Sequence, residues 1–213
     1  MPMKSRTFQL ASLTALSLLS ASFLVIRFGL LRSGWYVMIN WNLFLAWLPL
    51  VFSLWFEKLT HQPSRLKLVA VGTLWLLFFP NAPYVITDLI HIQNTMGIPV
   101  WHDAVMIFSY AFVSLLCGLL SFHWMRKNLL RILPRWADCL MLAALPLSSF
   151  GIYLGRVKRL NSWHPFTHPT LLVRQILESL VSKQAMLMTL EFSVLLGISY
   201  LMLLSLMENE RSY

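Results

Sequence analysis

The chain has 213 residues, of which 58% are apolar and only 12% charged, with a mean hydropathy of +0.67; a soluble domain is nearer half apolar and about a quarter charged. Two cysteines and eight glycines exclude a disulfide scaffold and a collagen-like repeat. The net charge of +9, from 17 basic against 8 acidic residues, is spread between apolar runs, so membrane orientation and anionic lipid account for it rather than nucleic acid.

A membrane-spanning helix needs about 20 predominantly apolar residues at a rise of about 1.5 Å each. Six stretches qualify in chain order. Phe8–Ile26 carries no charge, and five later spans favour a retained helix over a cleaved leader. Trp35–Phe56 is uncharged and contains Asn40, Asn42 and Pro49. Leu68–Ile86 holds Pro80, Asn81 and Pro83 near its end. Two prolines there remove two donors and free carbonyls of the preceding turn, so this third helix is expected to be broken. It either lines a site as a discontinuous helix or simply stops at the interface. Ala104–Phe122 is uncharged, Ala137–Leu154 contains Pro146, and Ala185–Met207 contains one charge, Glu191.

Between the fifth and sixth spans, Val173, Ile176, Leu177, Leu180 and Val181 fall on one helical face. Arg174, Glu178, Ser182 and Lys183 lie opposite, and Pro169 suits a first helical position. A helix over 169–184 lying in the membrane interface is expected, with a cap packed over the bundle as the alternative. Loop Lys/Arg counts set orientation. With the N-terminus inside, ten basic residues fall in inner segments and seven in outer ones, so both termini are expected to be cytoplasmic. Cys117 and Cys139 lie in apolar runs and read as packing residues. Gly151-Ile-Tyr-Leu-Gly155 reads as a close helix contact.

Polar groups at membrane depth are expensive, which makes each a candidate site residue. Asn81, Tyr84, Asp88, His91, His102 and Asp103 gather around the third connection, and Arg156, Arg159, Asn161, His164 and His168 around the fifth. Glu191 is the seventh residue of the last apolar run, about 9 Å in from the same side. On this topology all of them share one outer rim. Asp88 and His91, three apart, would share a helix face and could act as an acid/base pair or as two metal ligands, with Asp103, His102 or His164 completing the set. Arg156 and Arg159, also three apart, would share a face suited to phosphate or carboxylate, whether from a lipid, a ligand, or Asp88, Asp103 and Glu191 themselves. The sequence specifies no cofactor.

Three segments carry a family likeness: Asn42-Leu-Phe-Leu-Ala-Trp-Leu-Pro-Leu50, Phe79-Pro-Asn-Ala-Pro-Tyr-Val-Ile-Thr-Asp-Leu-Ile-His91, and Gly151-Ile-Tyr-Leu-Gly-Arg-Val-Lys-Arg-Leu-Asn-Ser-Trp163. They resemble the bacterial integral membrane family catalogued as domain of unknown function 1361, over roughly residues 30 to 205. The family pattern falls here on Asn81, Pro83, Tyr84, Asp88, His91, Asp103, Arg156, Arg159, Asn161, Ser162 and Trp163, and His164 stands where the family usually has Asp. The resemblance implies a small polytopic protein of the bacterial inner membrane and supplies no reaction.

The expected fold is therefore an all-α polytopic membrane helix bundle over 1–213, a single integral membrane domain. It has six spans, a broken third helix and an interfacial amphipathic helix before the sixth. Three function classes stand open. One is a scaffold or assembly protein meeting lipids and other membrane proteins. Another binds or transports an anionic or lipid ligand, although the fourth span offers only Ser109, Tyr110, Ser114 and Ser121 as a polar path. The third is a membrane-embedded, metal-assisted enzyme using Asp88, His91 and Asp103.

Overall fold

In the computed structural model, residues 3–31, 36–61, 64–92, 99–160 and 164–209 are described. Among these there is no strand, and six helices are long and apolar enough to cross a membrane. The elements are α1 (Met3–Leu31), α2 (Met38–Thr60), α3 (Arg65–Phe78), α4 (Asn81–Tyr84), a 3₁₀ helix (Val85–His91), α5 (Val100–Ile132), α6 (Ala137–Arg156), α7 (His164–Thr167), α8 (Pro169–Leu180) and α9 (Lys183–Asn209). The protein is an all-α polytopic membrane protein.

The helices outrun the apolar stretches that announce them. α1 continues past Ile26 to Leu31, and α5 spans 33 residues, absorbing Arg126, Lys127 and Arg131. Charged residues at helix ends cost little when their long stems reach the interface, so hydropathy alone marks each span short. The third span is broken as expected. α3 ends at Phe78, a turn follows at 79–80, and Pro80 and Pro83 deny the α-helix two donors. The chain does not stop there. It resumes as one turn of α4 and then tightens into the 3₁₀ helix, with Ala82, Pro83, Val85, Thr87 and Asp88 buried.

The chain forms two compact units, Met1–Trp47 with Asn81–Gly118, and Leu48–Pro80 with Leu119–Tyr213. In the first, α1 buries one stripe, Leu13, Ser20, Leu24 and Arg27, at spacings of seven, four and three. Ser17, on the same stripe, accepts from Trp47 Nε1 at 3.2 Å. In the second, Trp75 stacks on Phe79 at 4.8 Å between ring centres, and Phe122 meets the edge of Tyr200 at 4.7 Å. Trp75 Nε1 donates to Ser121 Oγ at 2.7 Å, and Asn128 Nδ2 to the Ser53 carbonyl at 3.2 Å. Cys117 is buried, but Cys139 is exposed on α6 and is therefore not the packing residue its apolar neighbours suggest.

The expected helix over 169–184 ends earlier, at Leu180. Val181 turns, and Ser182 starts α9 by accepting from Ala185 N–H through Oγ at 3.3 Å. Lys183 thus belongs to α9 rather than to the polar face of α8. The apolar stripe of α8 is exposed at Val173, Leu177 and Leu180.

The glycine pair in α6 has a concrete reason at Gly151. A Cβ there would stand 2.8 Å from Pro80 Cγ and 3.1 Å from Pro80 Cβ. Proline's closed ring has no rotamer to yield. Gly151→Ala gains about 1 kcal/mol of helix propensity, against about 1–3 kcal/mol for overpacking, so it should lower the melting temperature in detergent. Pro80→Ala combined with Gly151→Ala should recover part of the loss. A more stable Gly151→Ala variant would refute the close contact.

Candidate functional site

The described candidate residues divide between the two units. Asn81, Tyr84, Asp88, His91, His102 and Asp103 lie in the first, and Arg156, Arg159, His164, His168 and Glu191 in the second. Asn161 falls outside the described residues, as do Ser162 and Trp163.

In the first unit the side chains are organised by Arg27, one of the seven basic residues counted above in the outer segments because it follows the first apolar run. Arg27 is 1% exposed, one turn before the end of α1 and on its buried stripe. Its Nε donates to Asp103 Oδ1 at 2.7 Å and its Nη2 to Oδ2 at 3.2 Å. Asp103 is itself 1% exposed and sits in the first turn of α5, where helix N-termini favour negative charge. The guanidinium carbon lies 4.3 Å from the centre of the Tyr36 ring, a cation–π contact. Tyr36 OH donates to the His91 carbonyl at 2.5 Å. One chain of contacts thus runs from the end of the 3₁₀ helix through Tyr36 and Arg27 to Asp103. His102 Nδ1 stands 3.9 Å from Asp103 Oδ1, and its ring lies edge-on to Phe23. The sequence offered Asp103 as one of several anionic partners for Arg156 and Arg159, beside Asp88, Glu191, a lipid or a ligand; both its oxygens are taken by Arg27. The signal was present, because Leu13, Ser17, Ser20, Leu24 and Arg27 repeat at four, three, four and three.

Asp88 and His91 fall three apart in the 3₁₀ helix, where such positions eclipse one another. The shared face expected of them therefore survives, although the helix is of a tighter kind. Asp88 is buried, and its Oδ2 accepts from Asn42 Nδ2 of α2 at 2.8 Å. Asn40 accepts from Tyr110 OH at 2.5 Å, so both asparagines of α2 tie helices together. Thr87 Oγ1 donates to the carbonyl of Tyr84, and Asn81 opens α4. Among the described residues no group of three or more His, Cys, Asp or Glu side chains could hold a metal ion.

In the second unit, Arg156 is the last residue of α6. Arg159 is exposed with φ 55, left-handed backbone that a non-glycine residue rarely adopts. Leu160 N–H then donates to the Leu154 carbonyl at 3.0 Å. The expectation that Arg156 and Arg159 share a helix face fails, because the helix has already ended. His164 opens α7, with its ring edge-on to His168 at 5.6 Å. Glu191 is exposed, on the ninth residue of α9.

The basic connection is instead tied to α8. Glu178 takes Arg174 Nε at 2.9 Å on one oxygen and Lys158 Nζ at 3.5 Å on the other. The Arg174 guanidinium, with Lys158 adding to it, holds the Glu178 carboxyl below the usual carboxylate range. A depressed folded value means that the pairing is fully present above the ordinary glutamate pKa and is lost as pH falls through the lowered one.

Two outcomes follow. Arg27→Leu and Asp103→Leu should each cost about 3–5 kcal/mol, since each leaves a buried charge without its counter-ion, whereas the double variant should recover most of the loss. Melting temperatures in detergent measure this, and a double variant as damaged as the worse single one would refute a structural pair. Arg174→Ala should raise the Glu178 titration midpoint towards its ordinary value, read from the side-chain carboxyl carbon by NMR; an unmoved midpoint would refute the pairing.

No curated protein and no solved structure matches the chain significantly. Residues 41–199 match the family described as "Protein of unknown function (DUF1361)", which takes in α2 through most of α9. The chain, a multi-pass membrane protein, belongs to that family.

Proposed function

We propose that this protein is a membrane scaffold or assembly subunit of the bacterial inner membrane, with both termini cytoplasmic. Its contacts are with lipids and other membrane proteins rather than nucleic acid. The observation that carries this reading is the buried Arg27–Asp103 pair. A fully buried ion pair joined through two hydrogen bonds and capped by an aromatic face fixes helix to helix. The neighbouring polar contacts have the same character, with Asn42 on Asp88 and Tyr110 on Asn40 joining separate helices. Membrane helices gain little from apolar burial against one another, so hydrogen bonds of this kind specify their packing. The enzyme reading would require Asp103 to release Arg27 before it took a proton or a metal.

A second reading has an observation of its own. The α6–α9 connection exposes Arg159, Arg174 and the apolar stripe of α8 together. An amphipathic helix with basic residues beside it suits an interface rich in anionic lipid headgroups. This is compatible with assembly and needs no transport path.

The test is the mass of the assembly. After extraction in mild detergent, light scattering should give a discrete particle whose protein mass exceeds the 24.7 kDa chain by at least one further polypeptide. A monodisperse single chain would overturn the scaffold reading.

A further inference from the structure

α9 presents two unlike faces. Ala185, Leu196 and Tyr200 are buried, and Gly197 lies 3.8 Å (measured to an added Cβ) from Leu145 Cδ1 of α6. That side belongs to the protein's own interior. Away from it, Leu187, Glu191, Val194, Ile198 and Leu201 are all exposed. Their spacings alternate four, three, four and three, the seven-residue repeat of a helix-pairing seam, which Gln184 and Ser205 extend at either end. Only 11% of the apolar window of this span is buried, against 67% for α5.

Glu191 decides what covers the seam. It lies within the span Lys183–Met207, eight residues from the start and so about 12 Å along the axis. Among the described residues it has no hydrogen-bond or ion-pair partner. A carboxylate turned towards acyl chains is costly, and ionisable residues within spans face protein or a wet cavity. Lipid therefore does not suit this face, and a helix does.

We propose that the seam is the contact between two copies of this chain, related by a two-fold axis along the membrane normal, with the two Glu191 carboxyls sharing one proton. Copies inserted in the same direction run parallel, and the axis sets each seam residue against its own counterpart at one depth. Leu187, Val194, Ile198 and Leu201 then meet apolar partners. Gln184 carries donors and an acceptor and can pair with itself, while Ser205, whose O–H donates to the Met202 carbonyl at 2.9 Å, adds a small side chain that lets its counterpart approach. Two carboxyls holding one proton do the same, the O–H of one donating to the carboxylate oxygen of the other. Every position of the seam is thus self-complementary, which a lipid or an unrelated helix would match only by coincidence. The pairing deepens the scaffold reading and rests on it.

The experiment uses the full chain in membranes with Cys139→Ser, carrying Val194→Cys or Leu201→Cys on the seam, or Met186→Cys, which is exposed but off it. Mild oxidation should give disulfide-linked dimers at 194 and 201 and at least tenfold less at 186. Glu191→Lys should abolish the dimer through facing ammonium groups, and Glu191→Gln should retain it. Co-expression of E191K with the Glu191 chain should restore cross-linking as a mixed pair, which also shows that E191K inserts and folds. Equal cross-linking at 186, none at 194 and 201, or an E191K chain that dimerises alone would each overturn the proposal. An assembly heavier than one chain without self-cross-linking overturns the pair and leaves the scaffold reading standing. A single-chain particle overturns both.

Discussion

A guanidinium cannot shed its charge inside a membrane protein, and much of this structure answers that constraint. Arg27 has no neutral form to retreat to, so α1 must present it to a carboxylate, and Asp103 must be held where α5 begins. Fixing those two positions fixes the direction in which each helix sets out. Tyr36 covers the open face of the guanidinium and reaches on to the His91 carbonyl, so the end of the broken third span is located by the same charge. The Asp88–Asn42 contact adds a second tie to α2. A polar network of this sort narrows the number of ways in which apolar helices can pack, since a misplaced helix leaves a donor or a charge exposed to hydrocarbon.

The six spans, the break at Pro80–Pro83 and the amphipathic α8 were legible because each depends on local rules. Hydropathy runs reveal spans, a missing N–H reveals a break, and a helical period reveals a stripe. Helix ends were less legible. Arg126 lies within α5 because a charged stem can extend a helix beyond its apolar run, whereas Arg27 stays within α1 because Asp103 neutralises it in the interior; no local signal marks either limit. The pairing of Arg27 with Asp103 spans 76 residues and is set by tertiary packing. Only the seam of α1 hinted at it. Arg159 shows the opposite failure. Its spacing from Arg156 suggested a shared face, but spacing has that meaning only while the helix continues, and here the backbone turns left-handed first.

Of the residues picked out for chemistry in the first unit, Asp103 is held by Arg27 and Asp88 by Asn42, partners that the sequence did not single out. A carboxylate bound by arginine and one bound by asparagine look identical in one dimension to a general base and a metal ligand. Burial and a named partner become visible only in the fold. In the second unit the basic connection is laced by Glu178, which the sequence placed only on the polar face of the amphipathic helix and which takes both Arg174 and Lys158.

The corner between α8 and α9 is built around one serine. Ser182 N–H donates to the Ser179 carbonyl, its Oγ accepts from Ala185 N–H, and Tyr153 OH reaches the same Oγ at 3.5 Å. A joint of only two residues, held from three directions, leaves little slack between the surface helix and the last span. The end of α8 and the start of α9 are therefore placed together, and through Tyr153 both are referred to α6.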